Sequence, residues 1–253
     1  MPIEIDFDCP VFTIIINNPE VKNAVDGKTA KEIASAFKQF EKNEKALVAV
    51  LWGANGTFCS GADLKAILAG KGNRIEKDGD GPMGPTRIFL TKPVIAAIAG
   101  YAVAGGLELA LWCDLRVVEK SAVFGVFCRR FGVPLIDGGT VKLPRLIGMS
   151  HALDMILTGR AVKAQEAYEW GLANRIVEDG TSRQKAEELA KEISYFPQPC
   201  MQNDRLSLYA QSGLKLEDAM KIEFDLGLKT LDSGEYLKGS QDFNLGKGKH
   251  GKI

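Results

Sequence analysis

The sequence predicts an α/β fold ending in an all-helical tail, and three observations carry that prediction. Apolar runs of strand length (Val11–Ile16, Leu47–Trp52 and Pro93–Ala99) alternate with helical patterns through the first part of the chain. Glycine-punctuated loops, Gly53–Gly61 and Gly100–Gly106, join two of those strands to helices. From Ser182 onward four helical patterns follow with no strand between them. The expected division is therefore 1–182 for the α/β part and 183–253 for the helical region.

The elements read as follows. Ile3, Ile5 and Phe7 alternate with Glu4 and Asp6, the pattern of a half-exposed strand. Val11–Ile16 is a second strand, and Asn17-Asn18-Pro19-Glu20 a turn. A polar loop, Val21–Asp26, carries Lys22, Asn23 and Ala24. Lys28–Asn43 is an amphipathic helix with Ile33, Ala36, Phe37 and Phe40 on one face. Leu47–Trp52 is a buried strand. The loop after it ends FCSGADL, and Asp63-Leu64-Lys65 opens a helix, with Gly61 and Ala62 at the turn. Taken alone, this is an ordinary tight turn with Asp63 as an N-terminal helix charge. Gly70–Pro85, rich in Gly, Lys and Asp, reads as a mobile loop, either plainly disordered or a lid.

The chain is organised around Thr91–Asp114, TKPVIAAIAGYAVAGGLELALWCD. Pro93–Ala99 is a buried strand broken by Gly100. Gly105 and Gly106 remove two Cβ atoms in succession, and Leu107–Trp112 is a short helix apolar nearly all round. This layout directs backbone N–H groups from the positive end of a helix at open space, where negative charge is favoured. One turn in, Glu108 sits among Leu107, Leu109, Ala110 and Leu111. Such surroundings raise a carboxyl pKa toward the range useful for proton transfer. An anion cradle beside a tunable carboxyl group is the machinery of enolate chemistry. Two readings stay open on this stretch. Glu108 can be an N3 helix residue favoured by capping and the dipole, with the glycines serving close packing; or it can be the proton carrier.

Beyond it, Leu115–Val118 is a short strand and Ala122–Gly125 begins another segment. Asp137-Gly138-Gly139-Thr140 is a second sharp turn into a helix, with Asp137 as its N-cap. Ser150–Leu157 and Lys163–Gly171 are helices, and Ala173–Val177 returns as a strand. The tail patterns are Arg183–Tyr195, Cys200–Gln211, Leu216–Leu231 and Gly234–Leu245. The apolar face of the third (Met220, Phe224 and Leu228) has to pack on the core or on a neighbouring subunit.

Composition excludes several classes. Lys+Arg and Asp+Glu balance at 32 each, so nothing in the total favours nucleic acid or a membrane surface as partner. Cys9, Cys59, Cys113, Cys128 and Cys200 are scattered without a CxxC pair, which argues against disulfides or zinc and for a reducing, cytoplasmic setting. The N-terminus is acidic and unlike a signal peptide. GKGKHG at 246–251 matches GxGxxG but leaves no room for a following helix. Only His151 and His250 exist, and there is no GxSxG, HExxH or paired-His motif, so a Ser–His–acid triad and a metal site have little support.

FCSGADL together with AGYAVAGGLELALWCDLRV resembles the crotonase (enoyl-CoA hydratase/isomerase) superfamily, and the two motifs at this spacing are specific together. IINNPEVKNAV, GGTVKLPRLIG and GLANRIV extend the resemblance over most of residues 11–180, and more weakly into the tail. The resemblance implies a spiral of ββα units, a C-terminal helical region supporting homotrimers or hexamers, and acyl-CoA thioester substrates handled without cofactor or metal. It implies an oxyanion hole from the N–H groups of Ala62 and Gly105, and Glu108 as a catalytic glutamate. Lys22, Ala24, Ser60, Asp63, Leu64 and Gly106 would line the CoA and substrate site. One departure matters: where family hydratases carry a second glutamate in a segment like FGQPE, Phe124-Gly125-Val126-Phe127-Cys128 places Cys128. A thiol replaces a carboxylate poorly. Asp137 is the other acid able to assist. Hydration of a 2-enoyl-CoA is thus the leading expectation. Double-bond isomerisation through one carboxylate, or CoA-thioester binding with little catalysis, are the alternatives.

Overall fold

The computed structural model describes residues 2–247; His250 and the end of the GKGKHG stretch lie outside them. The chain forms two compact units, one running to Ile193 and the other from Ser194. The first ends later than the expected 182/183 boundary.

In the first unit β1 (Ile3–Asp8) pairs antiparallel with β2 (Val11–Ile16), and α1 (Gly27–Lys42) crosses to β3 (Val48–Gly53), parallel to β2. After α2 (Leu64–Leu68) the chain enters β4 (Val94–Ile98), turns at Gly100 into β5 (Tyr101–Val103), and continues as α3 (Gly105–Trp112). The same cycle repeats with β6 (Leu115–Glu119), β7 (Val123–Gly125) and α4 (Gly139–Thr158). Each cycle gives one strand to a six-stranded sheet and the next to a three-stranded sheet. This is the repeated ββα unit the resemblance implies. The turn after β3 follows the same plan, with Cys59 bridged to Ala102 beside the small sheet. β8 (Val162–Lys163), α5 (Ala164–Glu169), β9 (Arg175–Val177) and α6 (Ser182–Ser194) complete the unit. The large sheet runs β1-β2-β3-β4-β6-β9, parallel throughout except at β1.

The continuous apolar runs have a physical cause: the central strands are buried on both faces. Ala49 and Leu51 of β3 and Ala96 and Ile98 of β4 face the main core with Phe37 and Phe40 of α1 and Leu107 and Leu111 of α3. Val48, Val50, Ile95 and Ala97 point the other way, against Ala186, Leu189 and Ala190 of α6. That packing is why α6 belongs to the first unit, although its pattern reads as part of the tail. Ile5 and Phe7 are 42% and 40% exposed rather than half-buried by alternation, because β1 is an edge strand.

Helix α3 is fixed at its C-terminal end. Trp112 Nε1 donates to Ile88 O at 2.9 Å, and its ring meets Phe37 edge-on, centroids 4.6 Å apart. Buried Arg116 donates to the carbonyls of Ala110 and Cys113 at the C-terminal end, where a cation complements the helix dipole.

The second unit comprises α7 (Gln198–Ala210), α8 (Leu216–Asp232) and α9 (Glu235–Asn244), as the tail patterns predict. Asn203 Nδ2 donates to Thr230 Oγ1 at 2.9 Å between α7 and α8. Met220, Phe224 and Leu228, expected to be covered, are exposed in the single chain. Among the described residues no helix is long and apolar enough to cross a membrane, and all five cysteines are free.

Candidate active site

Two strand–loop–helix turns meet at one cavity of about 600 Å³. The Cys59 and Val103 backbones run side by side, with Cys59 N–H donating to Tyr101 O at 2.9 Å and Val103 N–H to Cys59 O at 3.2 Å. Their glycines are what let them close. A Cβ on Gly106 would sit 2.1 Å from Cys59 O, and one on Gly61 would sit 3.0 Å from Gly105 N. Gly61 also needs its φ of +102°, which an L side chain rarely adopts. Ala62 and Gly105 therefore lie on the same wall of the cavity. Neither of their N–H groups donates to another atom among the described residues. Helix α3 also has no side-chain cap, its N-cap being Ala104 at φ 54°.

Glu108 lies on the next turn, lining the cavity but only 2% exposed. The helix starts at Gly105, so Glu108 is one position past N3 and does not form a capping box. Its carboxylate turns instead to another segment: Oε1 accepts from Asp137 N–H and Gly139 N–H, both at 2.8 Å. A Cβ on Gly139 would fall 3.0 Å from that oxygen. Burial drives the Glu108 pKa up to about 7; the Gly139 N–H opposes this and the Asp137 charge adds to it. A carboxyl group with such a pKa is protonated and deprotonated in comparable amounts near neutral pH, as a proton carrier requires.

Asp137 also lines the cavity, at 4% exposure. It does not play the N-cap role that its sequence position suggests. Gly138, in the left-handed region, is the N-cap of α4 and no side chain caps that helix. Asp137 Oδ1 reaches the segment before β4, accepting from Met83 N–H at 2.9 Å and from the Thr86 hydroxyl. Burial raises its pKa, opposed by those two donors and by the Arg87 charge. The Gly70–Pro85 loop is thus of two kinds. Most of residues 70–80 are exposed, whereas 81–86 are buried at the site, so the expectation of one mobile loop fails for its second half.

Cys128 stands in the cavity wall, its pKa raised by burial and by the Glu108 charge. At neutral pH it is a thiol and supplies no second carboxylate. The remaining wall is mostly apolar: Ile67, Ile75, Met83, Phe127, Val133 and Ile136 contribute to it. Ala24, Ser60, Asp63 and Leu64 lie along the cavity as expected. Lys22 and Gly106 do not. Lys22 is held with φ 52° and its Nζ lies 5.7 Å from the Tyr101 ring centroid. Gly106 is buried against Cys59. His151 stacks on Trp170 and takes no part. Met83, Thr86 and Gly139 have no signal in the sequence, because each reaches the site through a contact with a distant residue. Among the described residues no cluster of His, Cys, Asp and Glu could hold a metal.

The chain is similar to known proteins along nearly its whole length. A sequence model described as enoyl-CoA hydratase/isomerase matches residues 7–249. The chain is 36% identical over 214 residues to a carnitinyl-CoA dehydratase of Proteus mirabilis, covering 84% of this chain and 82% of that one. It is 34% identical over 237 residues to the enoyl-CoA hydratase EchA19 of Mycobacterium tuberculosis, covering 91% and 88%. Its fold matches the crystal structure of an enoyl-CoA hydratase from M. tuberculosis with a TM-score of 0.91 at 31% identity, over 96% of this chain and 95% of the other. An enoyl-CoA hydratase from Bacillus anthracis gives 0.86 at 28% identity, over 96% of each. Two free N–H groups and a buried carboxyl group on one cavity thus sit within a chain matched along nearly its whole length, and the protein belongs to the enoyl-CoA hydratase/isomerase family of enzymes.

Proposed function

We propose that this enzyme adds water across the double bond of a 2-enoyl-CoA. The observation that carries the reading is the pairing of Glu108 with the unused N–H groups of Ala62 and Gly105 on one largely apolar cavity. In the proposed step Asp137 accepts a proton from water as its oxygen bonds to C3. The C2–C3 π pair moves toward the thioester, and the oxygen that gains charge receives the two N–H groups. Protonated Glu108 then gives its proton to C2. A proton passes back from Asp137 to Glu108 through solvent, which restores both groups. Dehydration of a 3-hydroxyacyl-CoA, the direction in the carnitinyl-CoA relative's name, is the same step reversed.

One observation favours a second reading. With Cys128 at the wall, Glu108 can act alone, taking a proton from C2 of a 3-enoyl-CoA and returning it to C4. Incubation with 2-enoyl- and 3-enoyl-CoA separately, with products identified by mass and chromatography, decides between them. A 3-hydroxyacyl product supports hydration and a shifted double bond supports isomerisation. Tight acyl-CoA binding by calorimetry, with no turnover across a panel of chain lengths, would leave a binding protein. We also propose a homotrimer or hexamer, because Met220, Phe224 and Leu228 are exposed in the single chain. A monomeric mass by light scattering at micromolar concentration would contradict it.

A further inference from the structure

Thr86 lies outside every motif of the family resemblance, yet it touches the centre of the site. It is buried, and its hydroxyl donates to Asp137 Oδ1, the oxygen that also accepts from Met83 N–H at 2.9 Å. The fit is close enough to exclude a side chain at Gly81, where a Cβ would lie 1.9 Å from Thr86 Oγ1 and 2.9 Å from Asp137 Oδ1. Asp137 continues the chain of contacts through its own N–H to Glu108 Oε1 at 2.8 Å. Met83 closes it on the other side, since a Cβ on Gly105 would meet Met83 Sδ at 2.6 Å. The segment from Gly81 to Thr86 therefore touches both Asp137 and the Gly105 turn.

We infer that Thr86 is a positioning residue: its hydroxyl, with the Met83 N–H, occupies Asp137 Oδ1, leaving Oδ2 as the oxygen available to the reacting water. This rests on the reading of the site given above and assigns the division of labour within it. Two buried carboxyl groups side by side cannot both be ionised cheaply. Glu108 receives two backbone N–H groups, whereas Asp137 receives one N–H and one hydroxyl. Arg87, next to Thr86 in the chain, is the charged group that favours ionised Asp137, and the Asp137 charge in turn raises the pKa of Glu108 on α3. Burial favours the neutral form of Asp137, while Met83 N–H, Thr86 and Arg87 favour the carboxylate. Removing one donor to the carboxylate shifts that balance toward the acid.

The test begins with the wild-type enzyme and Glu108→Gln on whichever enoyl-CoA is turned over. A large loss in Glu108→Gln establishes the reading of the site independently of Thr86. Thr86→Val, which keeps the shape and deletes the hydroxyl, is then expected to lower kcat by about 10-fold, less than the ~10²–10⁴ that loss of the base itself would cost. It should leave KM within about 3-fold and move the low-pH limb of kcat/KM upward, because Asp137 then protonates at higher pH. Thr86→Ser restores the donor and should recover the wild-type limb. In an Asp137→Asn background Thr86→Val should cost nothing further, since residues acting through one group are not additive. If Thr86→Val does not fold, Thr86→Ala and Thr86→Ser provide the same contrast. A wild-type pH profile in the hydroxyl-less variant, a Ser variant as impaired as the Val variant, or additive losses in the double mutant would overturn the assignment.

Discussion

The two turns that line the cavity are built alike and finished differently. At α2 the N-cap is Asp63, whose side chain accepts from Lys65 N–H at 2.9 Å and Ala66 N–H at 3.0 Å. The helix is five residues long, with no buried residue. At α3 the N-cap is Ala104, with no capping side chain, and seven of its eight residues are buried. The positive end of α2 is satisfied by its own carboxylate, as in an ordinary helix. The positive end of α3 has no capping side chain and leaves the Gly105 N–H at a largely apolar wall, where a donor is worth more than in water. The first turn caps its helix with Asp63 and leaves the Ala62 N–H ahead of it unused, whereas the second leaves the helix end itself without a capping side chain.

Four substitutions or conditions can break that contrast, taken from the largest expected effect downward. Glu108→Gln keeps shape and the ability to accept from Asp137 and Gly139, but cannot carry a proton. Turnover should fall by ~10²–10⁴ with acyl-CoA affinity near wild type. Steady-state kinetics with calorimetric binding checks it, and full activity in this variant would remove Glu108 from the mechanism. Gly105→Pro deletes the proposed oxyanion donor at the first position of α3, where proline suits the helix backbone. The expected loss is ~10²–10³ in kcat, with Met83 Sδ having to shift.

The third effect is on stability. Glu108 is raised from 4.5 to about 7 in the folded state. The folded protein therefore binds more protons than the unfolded chain between those values, and its stability declines as pH rises through that window. Glu108→Gln should be more stable than wild type by about 3 kcal/mol at pH 8, an advantage that disappears below pH 4.5. Denaturant unfolding at the two pH values measures it, and an equal difference at both would show that the shift is not what destabilises the wild type. The smallest effect is at the capped turn. Asp63→Ala should cost about 1 kcal/mol, the usual value of an N-cap, and leave kcat within a few-fold of wild type. The contrast is sharpest if the first residue's removal stabilises and inactivates, while the second's destabilises and leaves turnover standing.

Much of this molecule was legible before any coordinates. Period and run length placed the strands Val11–Ile16 and Pro93–Ala99, the second observed as Val94–Ile98, and the helices of the tail, because those signals are local: burial on both faces for the strands, one apolar stripe for each helix. The glycines at 105 and 106 announced a close approach of backbone to something, and Glu108 among leucines announced a perturbed acid. What local patterns could not show was the other side of each contact. That Gly61 closes on Gly105, and Gly106 on Cys59, depends on adjacent turns of the fold. That Asp137 binds Thr86 and Met83 rather than capping its own helix was decided by a segment more than fifty residues earlier in the chain. The same holds for α6, whose amphipathic pattern is indistinguishable from its neighbours' until Ala186 and Leu189 meet Val48 and Ile95. Sequence determined which residues wanted burial, which turns needed glycine, and which acid was out of place. Only the tertiary structure decided which partners share each carboxylate, because the pKa and aim of a buried acid are set by donors and charges brought from distant parts of the chain.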